Sequence, residues 1–313
     1  MRNTCENTPV CPESFKVIGY YPCWEPDKLD KIDFSVLTHI NYAFVIPTVE
    51  GTLLPLRHPE TAAELIQRAH ASGTRVMLVV GGWDYLGDLL EPTFAEAAST
   101  PEKRKNLADE IMELCNSFGF DGVDIDWEYP RPNTPSYERY ELLMLDLAQR
   151  LHSIGKELTC AVVCGANAEG GIVEHAAGQS DKALSVCDGI NIMAYDGGDG
   201  ELHSTYDFAV RCGEYWSRER KLPREKLTLG LPFYARPTWT TYEKLLTIDP
   251  EAWSKDQVTV DGQTAWYNGI PTIQQKTRYA MENLGGVMIW ELTQDVREPG
   301  RSLQAAIGEA LGR

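Results

Sequence analysis

Eight stretches of the chain are apolar or alternate between apolar and polar positions as strands do, and stretches of helical periodicity separate them. The predicted strands are Lys16 to Tyr20, Val36 to Phe44, Arg75 to Gly82, Asp121 to Glu128, Glu157 to Cys164, Gly189 to Tyr195, Lys226 to Tyr234 and Gly286 to Glu291. One intervening helix has Thr100 as N-cap, Pro101 in its first position, an apolar stripe of Leu107, Ile111, Leu114, Cys115 and Phe118, and Gly119 as its stop. Another runs from Pro271 through Ile273, Thr277, Ala280, Met281 and Leu284 to Gly285. Eight strands alternating with helices predict an α/β fold of the (β/α)8 TIM-barrel type, with a doubly wound open sheet as the alternative. Residues 1–14 read as an N-terminal tail and 15–313 as one barrel domain.

The fourth strand breaks the apolar pattern. In Asp121-Gly122-Val123-Asp124-Ile125-Asp126-Trp127-Glu128-Tyr129-Pro130, strand alternation puts Asp124, Asp126 and Glu128 on one face and Val123, Ile125 and Trp127 on the other. Same-face neighbours lie about 7 Å apart at Cα, close enough for a shared proton or a hydrogen bond that raises one carboxyl pKa. A carboxyl raised in this way can act as a general acid near neutral pH. A solvated edge strand or a metal loop would also carry acids, but the β-branched neighbours and the closing Tyr-Pro favour an interior strand.

A barrel gathers the carboxyl ends of its strands on one face, so the other strand ends should suit the same ligand. They carry Gly19-Tyr20-Tyr21, Tyr42-Ala43-Phe44, Gly81-Gly82-Trp83-Asp84, Met193-Ala194-Tyr195-Asp196, Phe233-Tyr234-Ala235-Arg236 and Trp290-Glu291. A single aromatic residue is more often core than ligand contact. Aromatic rings at all of these strand ends, besides the acidic one, point to a sugar, whose apolar ring faces stack on them while its hydroxyls meet carboxylates and guanidinium.

Composition narrows the partners. The 313 residues are 43% hydrophobic with no compositional break, and the formal charge of −17 repels nucleic acid and anionic membrane. No run of 18 apolar residues occurs, and Met1 to Thr8 lacks an apolar signal-peptide core. As written, the chain is expected to be cytoplasmic, or secreted if its start was trimmed. The eight cysteines (5, 11, 23, 115, 160, 164, 187 and 212) form no CxxC pair. Cys160 and Cys164 are too far apart along one strand to bridge each other, about 13 Å. Most are read as buried thiols, with a small Cys5–Cys11 loop open for a trimmed, secreted form. The six histidines show no metal-ligand spacing, and Asp196-Gly197-Gly198-Asp199-Gly200 lacks the remaining residues of an EF-hand or a P-loop. It reads as a substrate loop, and no cofactor or metal is expected.

The acidic strand, with Val17-Ile18-Gly19-Tyr20-Tyr21, Thr38-His39-Ile40-Asn41-Tyr42-Ala43-Phe44 and Gly285-Gly286-Val287-Met288-Ile289-Trp290, resembles glycoside hydrolase family 18, the chitinase family. That family's DxxDxDxE motif falls on Asp121, Asp124, Asp126 and Glu128. The resemblance implies hydrolysis of β-1,4-linked N-acetylglucosamine, as in chitin or chito-oligosaccharides, with retention and with the substrate's own acetamido group as nucleophile. On the matching positions, Glu128 would be the acid/base, Asp126 would hold the acetamido nitrogen, Asp124 would share a proton with Asp126, and Tyr195 would orient the acetamido oxygen. Trp290 would floor the reactive sugar, and Tyr20, Phe44, Trp83, Met193, Asp196, Tyr234 and Arg236 would shape the cleft.

Two departures stand out. The family's Ser-x-Gly-Gly on strand three is Val79-Val80-Gly81-Gly82 here, which removes a hydroxyl next to Asp124. Only residues 235 to 270 remain for an insertion between strands seven and eight, which implies a shallow, open groove and endo cleavage. An endo-β-N-acetylglucosaminidase acting on the N-glycan chitobiose core, a peptidoglycan-cleaving enzyme and a non-catalytic chitin-binding lectin are the competing readings.

Overall fold

The structure is a computed structural model that describes residue 12 and residues 14–313. Cys5 and Cys11, and so the proposed loop between them, lie outside the described residues. The barrel strands are β1 (Lys16–Pro22), β2 (His39–Val45), β3 (Arg75–Gly82), β4 (Gly122–Trp127), β5 (Glu157–Val162), β6 (Gly189–Ile192), β7 (Leu227–Pro232) and β8 (Gly286–Trp290). They pair in chain order, all parallel, and β8 closes on β1 through Lys16↔Gly286 to Gly19↔Ile289. The predicted eight-stranded barrel is therefore the observed one.

Several strands are shorter than their apolar runs. The second begins at His39, although the Thr38 amide still bonds to Val17 O on β1. The seventh stops at Pro232, whose ring removes the amide a ladder would use. The predicted helix after Thr100 is α1 (Pro101–Phe118). Thr100 Oγ1 accepts from the Lys103 amide, and Gly119 at φ 79° ends it in a conformation open to glycine. The helix predicted from Pro271 is α3 (Ile270–Asn283), one residue earlier at each end than its apolar stripe.

Alternation on the strands separates two apolar layers. Val123, Ile125 and Trp127 are fully buried between barrel and helices, where Trp127 stacks on Phe94 at 4.7 Å between centroids. Ile18, Tyr20, Ala43, Val79 and Met288 form a second, inner cluster against Phe44, Met193, Tyr195 and Trp290. Burying a large apolar side chain is worth about 1.5–3 kcal/mol, so a one-residue slip of β4 would forfeit Trp127 and force its carboxylates into the outer layer. Between β7 and α3 lie one short helix, α2 (Tyr242–Ile248), a helical turn at Ala252–Ser254 and a hairpin of Gln257–Val260 with Gln263–Trp266. The insertion is as short as the sequence implies. All six described free cysteines are buried thiols.

Candidate active site

The carboxyl ends of the strands enclose a cleft of about 630 Å³. Of the twelve residues singled out in the sequence, eleven line it: Tyr20, Phe44, Trp83, Asp126, Glu128, Met193, Tyr195, Asp196, Tyr234, Arg236 and Trp290. Asp124 lies beneath them, fully buried. Asp121, the first acid of the motif, is at the opposite end of β4, where its Oδ2 accepts from the Val76 amide at 2.8 Å and faces His70 Nε2 at 2.7 Å. It ties the bottom of the barrel and is remote from the cleft.

Asp124 is held by three donors. Tyr20 OH donates to its Oδ2 at 2.6 Å, Thr159 Oγ1 donates to its Oδ1, and Asn191 Nδ2 donates to the same oxygen at 3.0 Å. Asn191 is in turn fixed by Thr228 Oγ1, 2.8 Å from its Oδ1. The hydroxyl missing at Val79 is thus supplied from β1 and β5, and Val79 packs in the inner apolar cluster. Among the described residues no hydrogen bond links Asp124 to Asp126, and the two carboxyls interact through space as like charges. Burial pushes Asp124 up to about 6, with the three donors pulling the other way.

The sign of this shift makes a prediction. A carboxyl whose folded pKa is about 6, against about 3.9 unfolded, costs stability as pH rises through that window. Thr159→Val keeps the shape and deletes one donor to the charged form. It is expected to cost about 1–3 kcal/mol at pH 8, where Asp124 is ionised, and clearly less at pH 4, as read from urea unfolding at the two pH values.

Asp126 has no such support. Its Oδ1 is buried with no hydrogen-bond partner among the described residues. Burial raises its pKa well above the usual carboxylate range, and the charges of Glu128 and Asp124 add to the shift. The backbone of β3 comes so close here that a Cβ on Gly81, which sits at φ +124°, would stand 2.1 Å from Asp126 O. Glu128 is half-buried at the cleft wall. Burial pushes it up to about 7 against the hydrogen bond from Tyr129, and the charges of Asp196 and Asp84 contribute further.

Asp196 is the opposite case. Burial would raise its pKa, but His203, Tyr234 and Arg236 together hold it below the usual range. Tyr234 OH donates to Oδ2 at 2.8 Å and Arg236 Nη1 to Oδ1 at 3.2 Å. Three of the acids that line the cleft therefore differ: Asp126 and Glu128 are held towards the protonated form and Asp196 is held ionised. That split is how a site obtains an acid near neutral pH.

Aromatic rings cover the rest. Trp290 meets Tyr20 at 5.6 Å in an edge contact and lies nearly parallel to Phe44 at 5.7 Å. Eight lining residues had not been singled out, among them Trp24, Asp84, Tyr129 and Trp239. Trp24, Trp83 and Trp239 are 44%, 48% and 62% exposed, so their faces are open to a ligand. Trp239 stacks on Tyr234 at 5.6 Å and 4°, with the Arg236 guanidinium 3.8 Å from its centroid. Thr159 and Asn191 had a signal in the sequence: each is a lone polar side chain in an apolar strand, and Asn191 is in phase with Met193 and Tyr195. Trp239 had none, because the insertion that carries it has no strand phase.

Among the described residues, no group of three or more His, Cys, Asp or Glu side chains is placed to hold a metal ion. None of the described helices is long and apolar enough to cross a membrane.

The sequence profile of the glycosyl hydrolases of family 18 matches residues 16–295, from the first residue of β1 to beyond the end of β8. The chain belongs to that family. A chitinase-like effector from Moniliophthora roreri is 30% identical over 241 residues, which cover 69% of this chain and 57% of that protein. Among solved structures, the family 18 chitinase ChiB from the chitin utilization locus of Flavobacterium johnsoniae superimposes with a TM-score of 0.81 at 29% identity, covering 95% of this chain and 94% of its own. A chitinase from Bacteroides thetaiotaomicron does so with a TM-score of 0.81 at 25% identity, covering 95% and 96%. The chain spans 15 to 57% of the length of the first curated relatives it matches.

Proposed function

We propose that this family 18 member hydrolyses β-1,4-linked N-acetylglucosamine in chitin or chito-oligosaccharides, with retention and with the substrate's 2-acetamido group as the nucleophile. The observation that carries the reading is the buried, unpartnered Oδ1 of Asp126 beside the raised carboxyl of Glu128. An acetamido N–H supplies the missing donor. Asp126 is discouraged from ionising at rest, so it gains most when positive charge develops on the acetamido carbon, which is stabilisation specific to the transition state.

In this scheme Glu128 protonates the leaving glycosidic oxygen. The acetamido oxygen attacks the anomeric carbon, giving a cyclic oxazolinium that water, deprotonated by Glu128, opens on the same face. Tyr195, whose hydroxyl points towards Met288 Sδ at 3.9 Å, orients the acetamido oxygen. Trp290 supports the reactive ring. Asp124 acts as a fixed neighbour that keeps Asp126 hard to ionise. The 29%-identical chitinase, matched along nearly the whole of both chains, supports the substrate class.

The short insertion leaves the groove open at its side, which favours internal cleavage. Incubation with chitotetraose, polymeric chitin and a high-mannose glycopeptide, followed by mass spectrometry, tests the proposal. Hydrolysis of chitotetraose with the β-anomer formed first, seen by proton NMR, and mixed oligomers from chitin are expected. Cleavage of the glycopeptide alone would assign the N-glycan core instead, mainly disaccharide from chitin ends would refute the endo preference, and binding without hydrolysis would leave a lectin.

A further inference from the structure

Of the three cleft residues that follow β6, Tyr195 and Asp196 are not held by its sheet. The ladder of β6 ends at Ile192, and the Met193 amide makes the last bond to the neighbouring strand, at Val162 O. Tyr195 and Asp196 come two and three residues later, on a loop that returns at Ser204. That loop is closed by its own backbone, with the Gly197 amide bonded to His203 O and the His203 amide to Gly200 O. It is tied to the strand end by Ser204 Oγ, which donates to Ala194 O at 3.1 Å.

Ser204 is itself held from outside. Lys276 on α3 is fully buried, and its Nζ lies 2.7 Å from each of three acceptors: Ser204 O, Ser204 Oγ and Asn268 Oδ1. Asn268 Nδ2 donates back to Ser204 O at 2.8 Å. An ammonium has three protons, and here three acceptors take them. Among the described residues Lys276 makes no ion pair, so its burial is costly and a methionine would fill the same space more cheaply. The lysine adds one thing a methionine lacks: by donating to Ser204 Oγ it leaves that hydroxyl's own proton free only for Ala194 O, the peptide before Tyr195.

We propose that Lys276 is a positioning residue for the end of β6: its three-way anchor on Ser204 and Asn268 fixes the 194–204 segment that presents Tyr195 and Asp196 to the substrate. The catalytic part rests on the role proposed for Tyr195; the positional part does not. Lys276 does not touch the cleft, so its effect must pass through that segment. Misplacing a substrate-orienting group by about 1 Å can cost up to about 10²-fold in rate.

The test uses the full chain carrying Lys276→Met, alone and with Tyr195→Phe. For Lys276→Met, kcat on chitotetraose is expected to fall about tenfold with KM within about twofold. In the Tyr195→Phe background the same change should cost less than about twofold further, because the two act as a unit. Backbone amide exchange should speed up at residues 194–204 while α3 keeps its protection. Unchanged exchange at 194–204, or a kcat loss that multiplies in full with that of Tyr195→Phe, would overturn the inference. Should Lys276→Met fail to fold, Ser204→Ala breaks the same link from the loop side and is judged by the same outcomes. If the wild-type chain does not hydrolyse chitotetraose, the functional proposal fails, and the exchange measurement decides the positional inference by itself.

Discussion

Glu128→Gln is expected to lower kcat on chito-oligosaccharides by about 10³-fold with KM little changed. General acid catalysis by a positioned carboxyl contributes about 10²–10⁴-fold, and Glu128 serves both steps of the proposed reaction, so its loss falls towards the upper part of that range. Glutamine keeps the shape and the hydrogen bonding of the side chain but has no proton to give. The pH dependence carries the same assignment. Glu128 titrates at about 7 because burial disfavours its charge, so the protonated acid is lost as pH rises through about 7 and kcat/KM of the wild-type enzyme falls there. The residual activity of the variant should lack that limb. Stability falls in the same direction: a carboxyl raised from about 4.3 in the unfolded chain to about 7 in the fold weakens the native state progressively as pH rises across that interval. Glu128→Gln should therefore be no less stable than wild type at pH 8, and a denaturation midpoint measured there separates lost chemistry from lost folding. Full activity in the variant would eliminate Glu128 as the acid.

Asp126→Asn is expected to lower kcat by about 10²–10³-fold. Asparagine still offers a carbonyl oxygen to an acetamido N–H, so substrate binding and KM should change little. What it removes is the negative charge that faces the developing oxazolinium. The pH profile should keep its shape. Glu128 is raised by burial and by the charges of Asp196 and Asp84, and Asp126 is itself held towards the neutral form, so the alkaline limb is expected to stay near pH 7. A variant with wild-type kcat would show that the Asp126 charge is not used. A large rise in KM with unchanged kcat would make it a binding residue only.

The barrel was legible because its strands and helices differ in period. Two-residue alternation in Val123-Asp124-Ile125-Asp126-Trp127 and the capped helix between Thr100 and Gly119 each specify one element without reference to the rest of the chain. The cleft was legible for a related reason: in a parallel barrel every strand delivers its carboxyl end to one face, so polar and aromatic residues at strand ends can be gathered from eight separate places without knowing any distance. Boundaries were less accessible, since Thr38 and Met193 are apolar-run neighbours whose amides bond across to Val17 and Val162 without prolonging the strands they adjoin.

By itself the sequence determined the fold class, the acidic face of β4 and eleven side chains of the cleft, because periodicity and strand order are local properties that survive in one dimension. Tertiary structure alone decided the electrostatic identity of each acid. Asp124 and Asp126 are two residues apart on the same face, yet one receives Tyr20, Thr159 and Asn191 from three other strands and the other receives no partner at its buried oxygen. The same is true of Val79, where the loss of a hydroxyl looked like a defect and proved to be covered by donors 59 and 80 positions away in the chain. A carboxyl pKa depends on the donors and charges within a few ångströms, and those neighbours are assembled only when the barrel closes.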